Sequence, residues 1–147
     1  MPTAQRRANV VWEGNLVQGT GLITTGTGVL REMPVTWASR TERPNGKTSP
    51  EELIAAANAA CFSMALSHAL TQAGHVPTRL DVSAVCTLDR VEGGLKITNM
   101  DIEVRGQVPG VDQETFARLA KEASIGCPVS KALRNNVEIS VSARLEA

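Results

Sequence analysis

Alternating apolar and polar residues predict β-strands in three parts of the chain. Residues 6–38 hold short apolar runs separated by glycines, a pattern typical of a meander of antiparallel strands. Residues 80–104 hold two alternating runs around a glycine-containing turn at residues 91–94, which predicts a hairpin. Residues 137–143 alternate once more and predict a final strand.

A long helix is predicted after the polar connection at residues 39–49. Ser49 is a suitable N-cap, and Pro50 fits the first helical position because it has no N–H group to leave unpaired. Glu52 stands where a carboxylate can complete a capping box. Gly74 marks the end of the helix.

Two shorter helices are predicted between the hairpin and the final strand. Residues 112–123 are amphipathic, with Asp112 as N-cap and Gly126 as the stop, and residues 127–133 start another short helix. Strands, a long helix, a hairpin, two helices and a last strand make an α+β fold rather than a regular βαβ wrap. With 147 residues, the chain is predicted to form a single domain over residues 1–147.

Composition and charge narrow the function classes. The 15 basic and 15 acidic residues cancel, and no long basic run can neutralise phosphates, so we expect no nucleic-acid partner. Residues 53–72 carry no charged side chain and are long enough to cross a bilayer. Their many alanines and polar residues make insertion unfavourable, so we expect no membrane span but a helix buried in protein, for example between subunits.

The N-terminus and the cysteine count indicate the compartment. Residues 1–11 contain neither an apolar core of about seven residues nor a small-residue cleavage site, so we expect a cytoplasmic protein. Three cysteines is an odd number, and thiols stay reduced in that compartment. A disulfide here is therefore expected to be catalytic rather than structural.

The three cysteines occupy different predicted environments. Cys86 falls on the apolar face of a strand, which is typical of a core residue. Cys61 lies in the middle of the long helix, where burial disfavours a thiolate, so the residues alone favour a packed core cysteine. Cys127 lies between Gly126 and Pro128 at the start of a short helix, where backbone N–H groups stabilise a thiolate. A redox role for Cys127 stays open at this point.

Reactive chemistry at Cys61 needs a cation to offset its burial. Arg40 and Arg43 in the polar connection can supply one. Glu51 can hold a guanidinium in place through a bidentate pair. The sequence does not decide between the two arginines.

Two cysteine-containing segments resemble those of a known family. Residues 49–66, SPEELIAAANAACFSMAL, resemble the central-helix signature of the osmotically inducible protein C and organic hydroperoxide resistance family (OsmC/Ohr). Residues 126–130, GCPVS, resemble its second cysteine motif. Residues 12–14 and 39–42 extend the resemblance over nearly the whole chain, and the details favour the osmotically inducible branch.

The resemblance implies a two-cysteine peroxidase that reduces organic hydroperoxides, and in some members hydrogen peroxide, in oxidative and osmotic stress defence. Cys61 matches the peroxidatic cysteine, Cys127 the resolving cysteine, Glu51 the glutamate of the active site and Arg40 its arginine partner. Cys61 is then expected to form a sulfenic acid and a disulfide with Cys127, without a bound cofactor or metal. Cys86 lies outside the family pattern.

The resemblance also implies an OsmC-like fold, in which antiparallel sheets pack around a long central buried helix in an intertwined homodimer. A dithiol reductant, such as a lipoyl-carrying protein, is the implied partner. Glu51 and Cys61 are ten residues apart, about 15 Å along a helix axis. We therefore expect two antiparallel helices to cross, so that Cys61 of one subunit meets Arg40 and Glu51 of the other.

The sequence leaves two alternatives to a peroxidase. In the first, the chain is a non-catalytic binding module whose long helix helps to form a pocket for an apolar ligand. In the second, Cys61, His68, Cys86 and Cys127 hold a structural metal, but no CxxC or HxxxH spacing supports that site.

Overall fold

The computed structural model describes residues 2–146. The chain contains two compact units, Met1–Leu53 and Ile54–Ala147. Helix α2 begins in the first unit and continues in the second. The single-domain organisation of residues 1–147 stays a prediction.

The first unit contains a three-stranded antiparallel sheet, which confirms the predicted meander. Its strands are β1 (Ala8–Glu13), β2 (Thr20–Thr25) and β3 (Met33–Val35), with β2 in the centre. Gly21 of β2 pairs with Trp12 of β1. A Cβ on Gly21 would lie 2.8 Å from the Trp12 ring, so only glycine lets the indole lie against the central strand.

A short helix, α1 (Trp37–Thr41), follows the sheet and was not predicted. Thr36 and Ser39 cap it reciprocally: the Ser39 N–H donates to the Thr36 hydroxyl oxygen at 3.0 Å, and the Thr36 N–H donates to the Ser39 hydroxyl oxygen at 2.9 Å. Ser39 also donates to the backbone oxygen of Thr48 at 2.8 Å. The polar connection is therefore tied down close to the start of the long helix.

The long helix α2 spans Pro50–Gln72, as predicted. Ser49 is the N-cap, since its hydroxyl oxygen accepts the Glu52 N–H at 3.1 Å. The predicted capping box is only half formed, because the Glu52 carboxylate instead accepts the Thr48 hydroxyl at 2.7 Å. Gly74 follows the helix with φ 91°, the left-handed conformation that glycine adopts without strain.

The second unit contains a three-stranded mixed sheet. Strands β4 (Arg79–Val91) and β5 (Gly94–Gln107) form the predicted hairpin. Strand β6 (Glu138–Leu145) pairs with β5 in parallel, so the prediction of purely antiparallel sheets is wrong for this strand. The reason is the connection, in which α3 (Gln113–Gly126) and α4 (Pro128–Leu133) provide the long crossover that parallel strands require.

The core of the second unit lies between α2, α3 and one face of the sheet. Alternate residues of β5 and every fourth residue of α2 face it, as the two side-chain periods require. Its best-buried members are Phe62, Leu66, Leu70, Met100, Ile102, Val104 and Phe116.

One face of α2 is buried within the chain, and the prediction of a helix buried in protein, for example between subunits, is compatible with the exposure of its other face. Phe62, Leu66 and Leu70 are completely enclosed, but Met64 is 71% exposed. By length and composition α2 is also apolar enough to cross a membrane. The packing of its three large apolar side chains against the core favours a helix that belongs inside protein.

Candidate active site

The structure brings Cys61 and Cys127 together, although they are 66 positions apart in the sequence. Their Sγ atoms are hydrogen-bonded at 2.8 Å. Cys127 is completely buried, and Cys61 is partly exposed to solvent. Because a disulfide bond is about 2.05 Å long, a displacement of less than about 1 Å would join the two sulfurs.

Cys127 owes its position to the junction of two helices. It ends α3, with its N–H donating to the Ala123 carbonyl at 2.9 Å, and it also starts α4, with its carbonyl accepting the Lys131 N–H at 2.9 Å. Pro128 occupies the first position of α4, which needs no N–H donor. The predicted position of Cys127 at the start of a short helix is confirmed, and the structure makes it the N-cap.

The two thiols differ in their tendency to ionise. Burial raises the pKa of Cys61, and its hydrogen bond with Cys127 raises it further, against a smaller lowering by the Val129 N–H. Burial also opposes ionisation of Cys127, but hydrogen bonds from Cys61, Ser130 and the Val129 N–H outweigh it and lower the pKa of that thiol. The thiolate therefore forms more readily at Cys127 than at Cys61.

Asn58 is a member of this site that the sequence analysis missed. It lies one turn before Cys61 on α2 and is completely buried. Its Nδ2 donates to the Ser130 Oγ at 3.0 Å and lies 3.8 Å from the Cys127 Sγ. The only signal in the sequence was a polar residue inside a run of alanines, and Ser130 is 72 positions away.

Arg40 and Glu51 form the second predicted pair, and both lie in the first unit. The Arg40 Nε lies 3.1 Å from Oε1 and 3.2 Å from Oε2 of Glu51, and Nη2 donates to Oε2 at 3.0 Å. The Glu51 side chain is 7% exposed and that of Arg40 is 33% exposed. Arg43 is exposed, so the structure favours Arg40 as the guanidinium that Glu51 orients.

Cys86 lies on β4, opposite Met100 of β5, and packs against the core of the second unit. This placement confirms the interpretation of Cys86 as a core residue. Within residues 2–146, no group of three or more His, Cys, Asp or Glu side chains is arranged to hold a metal ion.

A cavity of about 590 Å³ lies in the second unit, and neither Cys61 nor Cys127 is among its lining residues. Lys96, Lys121 and Arg134 line it, and most of its exposed lining is polar. A fatty or aromatic ligand prefers an apolar pocket, so this cavity does not support the binding-module alternative.

Known proteins resemble this chain in sequence. The family model for OsmC-like protein matches residues 43–142. Peroxiredoxin OsmC of Escherichia coli (strain K12) is 42% identical over 137 residues, which cover 93% of this chain and 95% of that protein. Organic hydroperoxide resistance protein OhrB of Bacillus subtilis (strain 168) is 34% identical over 122 residues, or 82% of this chain and 87% of that protein.

Solved structures share the fold. The crystal structure of OhrB from Bacillus subtilis matches with a TM-score of 0.75 and 29% identity, covering 93% of this chain and 97% of that one. An organic hydroperoxide resistance protein OsmC from Legionella pneumophila matches in fold with a TM-score of 0.74 and 24% identity, covering 98% and 99%. The predicted fold class and family are confirmed, and the chain belongs to the OsmC-like protein family.

Proposed function

We propose that this chain is a thiol-dependent peroxidase that reduces organic hydroperoxides in oxidative and osmotic stress defence. The observation that carries the proposal is the 2.8 Å separation of the Cys61 and Cys127 Sγ atoms. Two cysteines so distant in sequence meet only in the fold. The names of the relatives, peroxiredoxin and organic hydroperoxide resistance protein, support the same chemistry.

The reaction uses the two thiols in sequence. The Cys61 thiolate attacks the terminal oxygen of the hydroperoxide, the O–O bond breaks, and an alcohol leaves after taking up a proton. Cys61 is then a sulfenic acid. The Cys127 sulfur attacks it, which forms the disulfide and releases water. This step protects Cys61 from irreversible oxidation.

The cation that activates Cys61 is Arg40, oriented by Glu51. The two carboxylate oxygens fix the guanidinium in one plane, as the three short N–O distances indicate. Glu51 and Cys61 are separated by ten residues of α2, a rise of about 15 Å. A carboxylate cannot cover that distance along one helix, so Arg40 and Glu51 serve the Cys61 of a second subunit.

The active form is therefore a homodimer in which the site is shared. Two apolar surfaces support this proposal. On α2, the exposed face carries uncharged residues that include Ala56, Ala60 and Met64. On β1, Val10 is 54% exposed and Val11 is 52% exposed. Contiguous exposed apolar surface marks sites of protein–protein contact, which is what a subunit interface requires.

A dithiol, such as a lipoyl group carried by a protein, reduces the disulfide and closes the cycle by thiol exchange. The protein works in the cytoplasm, where such reductants keep thiols reduced. Its three cysteines, an odd number, suit that environment.

Mass spectrometry tests the proposed function. The reduced protein is treated with one equivalent of cumene hydroperoxide and digested without reductant. We expect the loss of two hydrogen atoms and a crosslinked peptide pair that joins Cys61 to Cys127. A binding module would leave all thiols unchanged, and that result would overturn the proposal.

A further inference from the structure

A buried polar pair, Asn58 and Ser130, adjoins Cys127. Asn58 and Ser130 are both completely buried, and the Asn58 Nδ2 donates to the Ser130 Oγ at 3.0 Å. The same Nδ2 lies 3.8 Å from the Cys127 sulfur, within the reach of a hydrogen bond to sulfur. Burying an amide is unfavourable unless it is hydrogen-bonded, and an alanine would suit this run of α2 better. We therefore look for the role of this pair at the neighbouring Cys127 sulfur.

The Asn58 amide uses its donor end, Nδ2, which faces Ser130 and the Cys127 sulfur. Its Oδ1 has no hydrogen-bond partner among residues 2–146. A structural asparagine in a core usually satisfies both ends of its amide. Here only the donor end, which faces Ser130 and Cys127, is used.

The two sulfurs also differ in access. Cys127 is 0% exposed, whereas Cys61 is partly open to solvent. A thiolate from solution can therefore reach the Cys61 sulfur first. When the Cys61–Cys127 bond then breaks, Cys127 is the leaving group. Its sulfur is buried and lies beside the Asn58 donor.

We propose that the dithiol reductant attacks the Sγ of Cys61, that Cys127 leaves as the thiolate, and that Asn58 and Ser130 are positioning residues that stabilise this leaving group. The inference rests on the proposed function, because it requires the Cys61–Cys127 disulfide. A leaving thiolate that is better stabilised departs faster. The hydrogen bonds from Cys61, Ser130 and the Val129 N–H, which lower the pKa of Cys127, act in the same direction.

The exchange balances in two steps. A thiolate of the reductant bonds to the Cys61 sulfur while the Cys61–Cys127 bond breaks, and its electron pair goes to Cys127, which later takes up a proton. The second thiolate of the reductant then attacks its own sulfur in the mixed disulfide. The reductant leaves as a disulfide, having supplied two electrons, and Cys61 returns to the thiolate.

A trapping experiment identifies the sulfur that is attacked. Wild-type protein is first converted to the Cys61–Cys127 disulfide with cumene hydroperoxide, and peptide mapping verifies the bond. The oxidised protein is then mixed with 2-mercaptoethanol, quenched with acid after a short delay and mapped again. We expect the adduct on Cys61. An adduct on Cys127 would overturn the inference, whereas absence of the disulfide at the first stage would count against the proposed function instead.

Variants test the role of the amide. Asn58→Leu removes the donor while keeping a side chain of similar size. Ser63→Ala is the control, because the Ser63 hydroxyl on the same helix donates to the Ala59 carbonyl at 2.7 Å. We expect dithiothreitol to reduce the Asn58→Leu disulfide about tenfold more slowly, since a hydrogen bond to a charged acceptor is lost. The Ser63→Ala disulfide should be reduced at the wild-type rate.

The pH dependence separates stabilisation of the thiolate from a general loss of structure. Cys61 is the titratable group within hydrogen-bonding distance of Cys127, so the reduced thiols are alkylated as a function of pH in both variants. The ionisation of Cys127 should move to higher pH in Asn58→Leu. If that variant does not fold, Ser130→Ala should show the same shift. Wild-type reduction rates and an unmoved profile in a folded variant would refute the role of Asn58.

Discussion

Replacing Glu51 by glutamine tests the pair that orients the cation. In the wild type, Oε2 of Glu51 accepts from both Nε and Nη2 of Arg40, and Oε1 accepts from Nε. Glutamine keeps one carbonyl oxygen but places an NH₂ group where Oε2 was, and that group meets guanidinium N–H donors. Two of the three contacts are therefore lost, together with the negative charge.

The expected loss of stability depends on how deeply the Arg40–Glu51 pair is buried. Breaking a fully buried ion pair costs about 3–5 kcal/mol, and an exposed pair contributes about 0–1 kcal/mol. Glu51 is 7% exposed but Arg40 is 33% exposed, so water relieves part of the penalty. We expect Glu51→Gln to lower the free energy of unfolding by about 1–3 kcal/mol, which shifts a urea midpoint by about 1 M.

Peroxidase activity should also fall in Glu51→Gln, because Arg40 is no longer held in one orientation. The kcat/KM for cumene hydroperoxide is expected to drop about 10- to 100-fold, because each tenfold corresponds to about 1.4 kcal/mol of transition-state stabilisation. The control is Glu52→Gln, since the carboxylate of that exposed neighbour accepts the Thr48 hydroxyl at 2.7 Å instead of pairing with Arg40. If Glu51→Gln keeps both the urea midpoint and the activity, or if Glu52→Gln is the more damaging change, Glu51 does not orient the cation.

The remaining predictions concern the thiols and the shared site. Cys61→Ser should abolish peroxide turnover in a coupled assay, whereas Cys86→Ser should change it little; equal losses would contradict the assignment. Cys127→Ala removes the hydrogen bond and the charge that raise the pKa of Cys61. Alkylation of Cys61 should then begin at lower pH, and excess peroxide should convert it to the sulfinic acid, detectable by mass; normal cycling on dithiol would show that Cys127 is not the resolving thiol. Arg40→Ala should slow peroxide attack more than Arg43→Ala, and the reverse order would exchange their roles. Mixing Cys61→Ser and Arg40→Ala subunits should restore about a quarter of wild-type activity, since half of the randomly formed dimers contain one intact site. Mixed dimers without activity would place the site within single subunits.

Local signals in the sequence predicted the regular elements well. The Ser49 and Pro50 pair fixed the start of α2, and alternation fixed the hairpin. Helix α1 was missed because it has five residues and is capped by Thr36 and Ser39, a pair without the glutamate or glutamine that usually marks a capping box. The direction of β6 was missed because alternation reports which side chains share a face and not which way a strand runs.

The site was harder to predict because it depends on tertiary contacts. Burial alone made Cys61 an inert core residue, and only the family resemblance paired it with Cys127. Asn58 gave only a weak signal, a polar residue in a run of alanines, because its partner Ser130 belongs to another helix and its cost of burial is visible only in three dimensions. The residues alone did not separate Arg40 from Arg43; the family resemblance favoured Arg40, and α1 places it beside Glu51.

A single residue, Cys127, forms the junction between α3 and α4. Cys127 alone ends one helix and starts the next, with φ −64° and ψ 120°. Because each residue of an α-helix turns by about 100°, inserting or deleting one residue beside it would point the sulfur away from Cys61. The chain should therefore tolerate many substitutions on the outer surfaces of these helices, but no change of length between Ala123 and Lys131 that preserves the redox cycle.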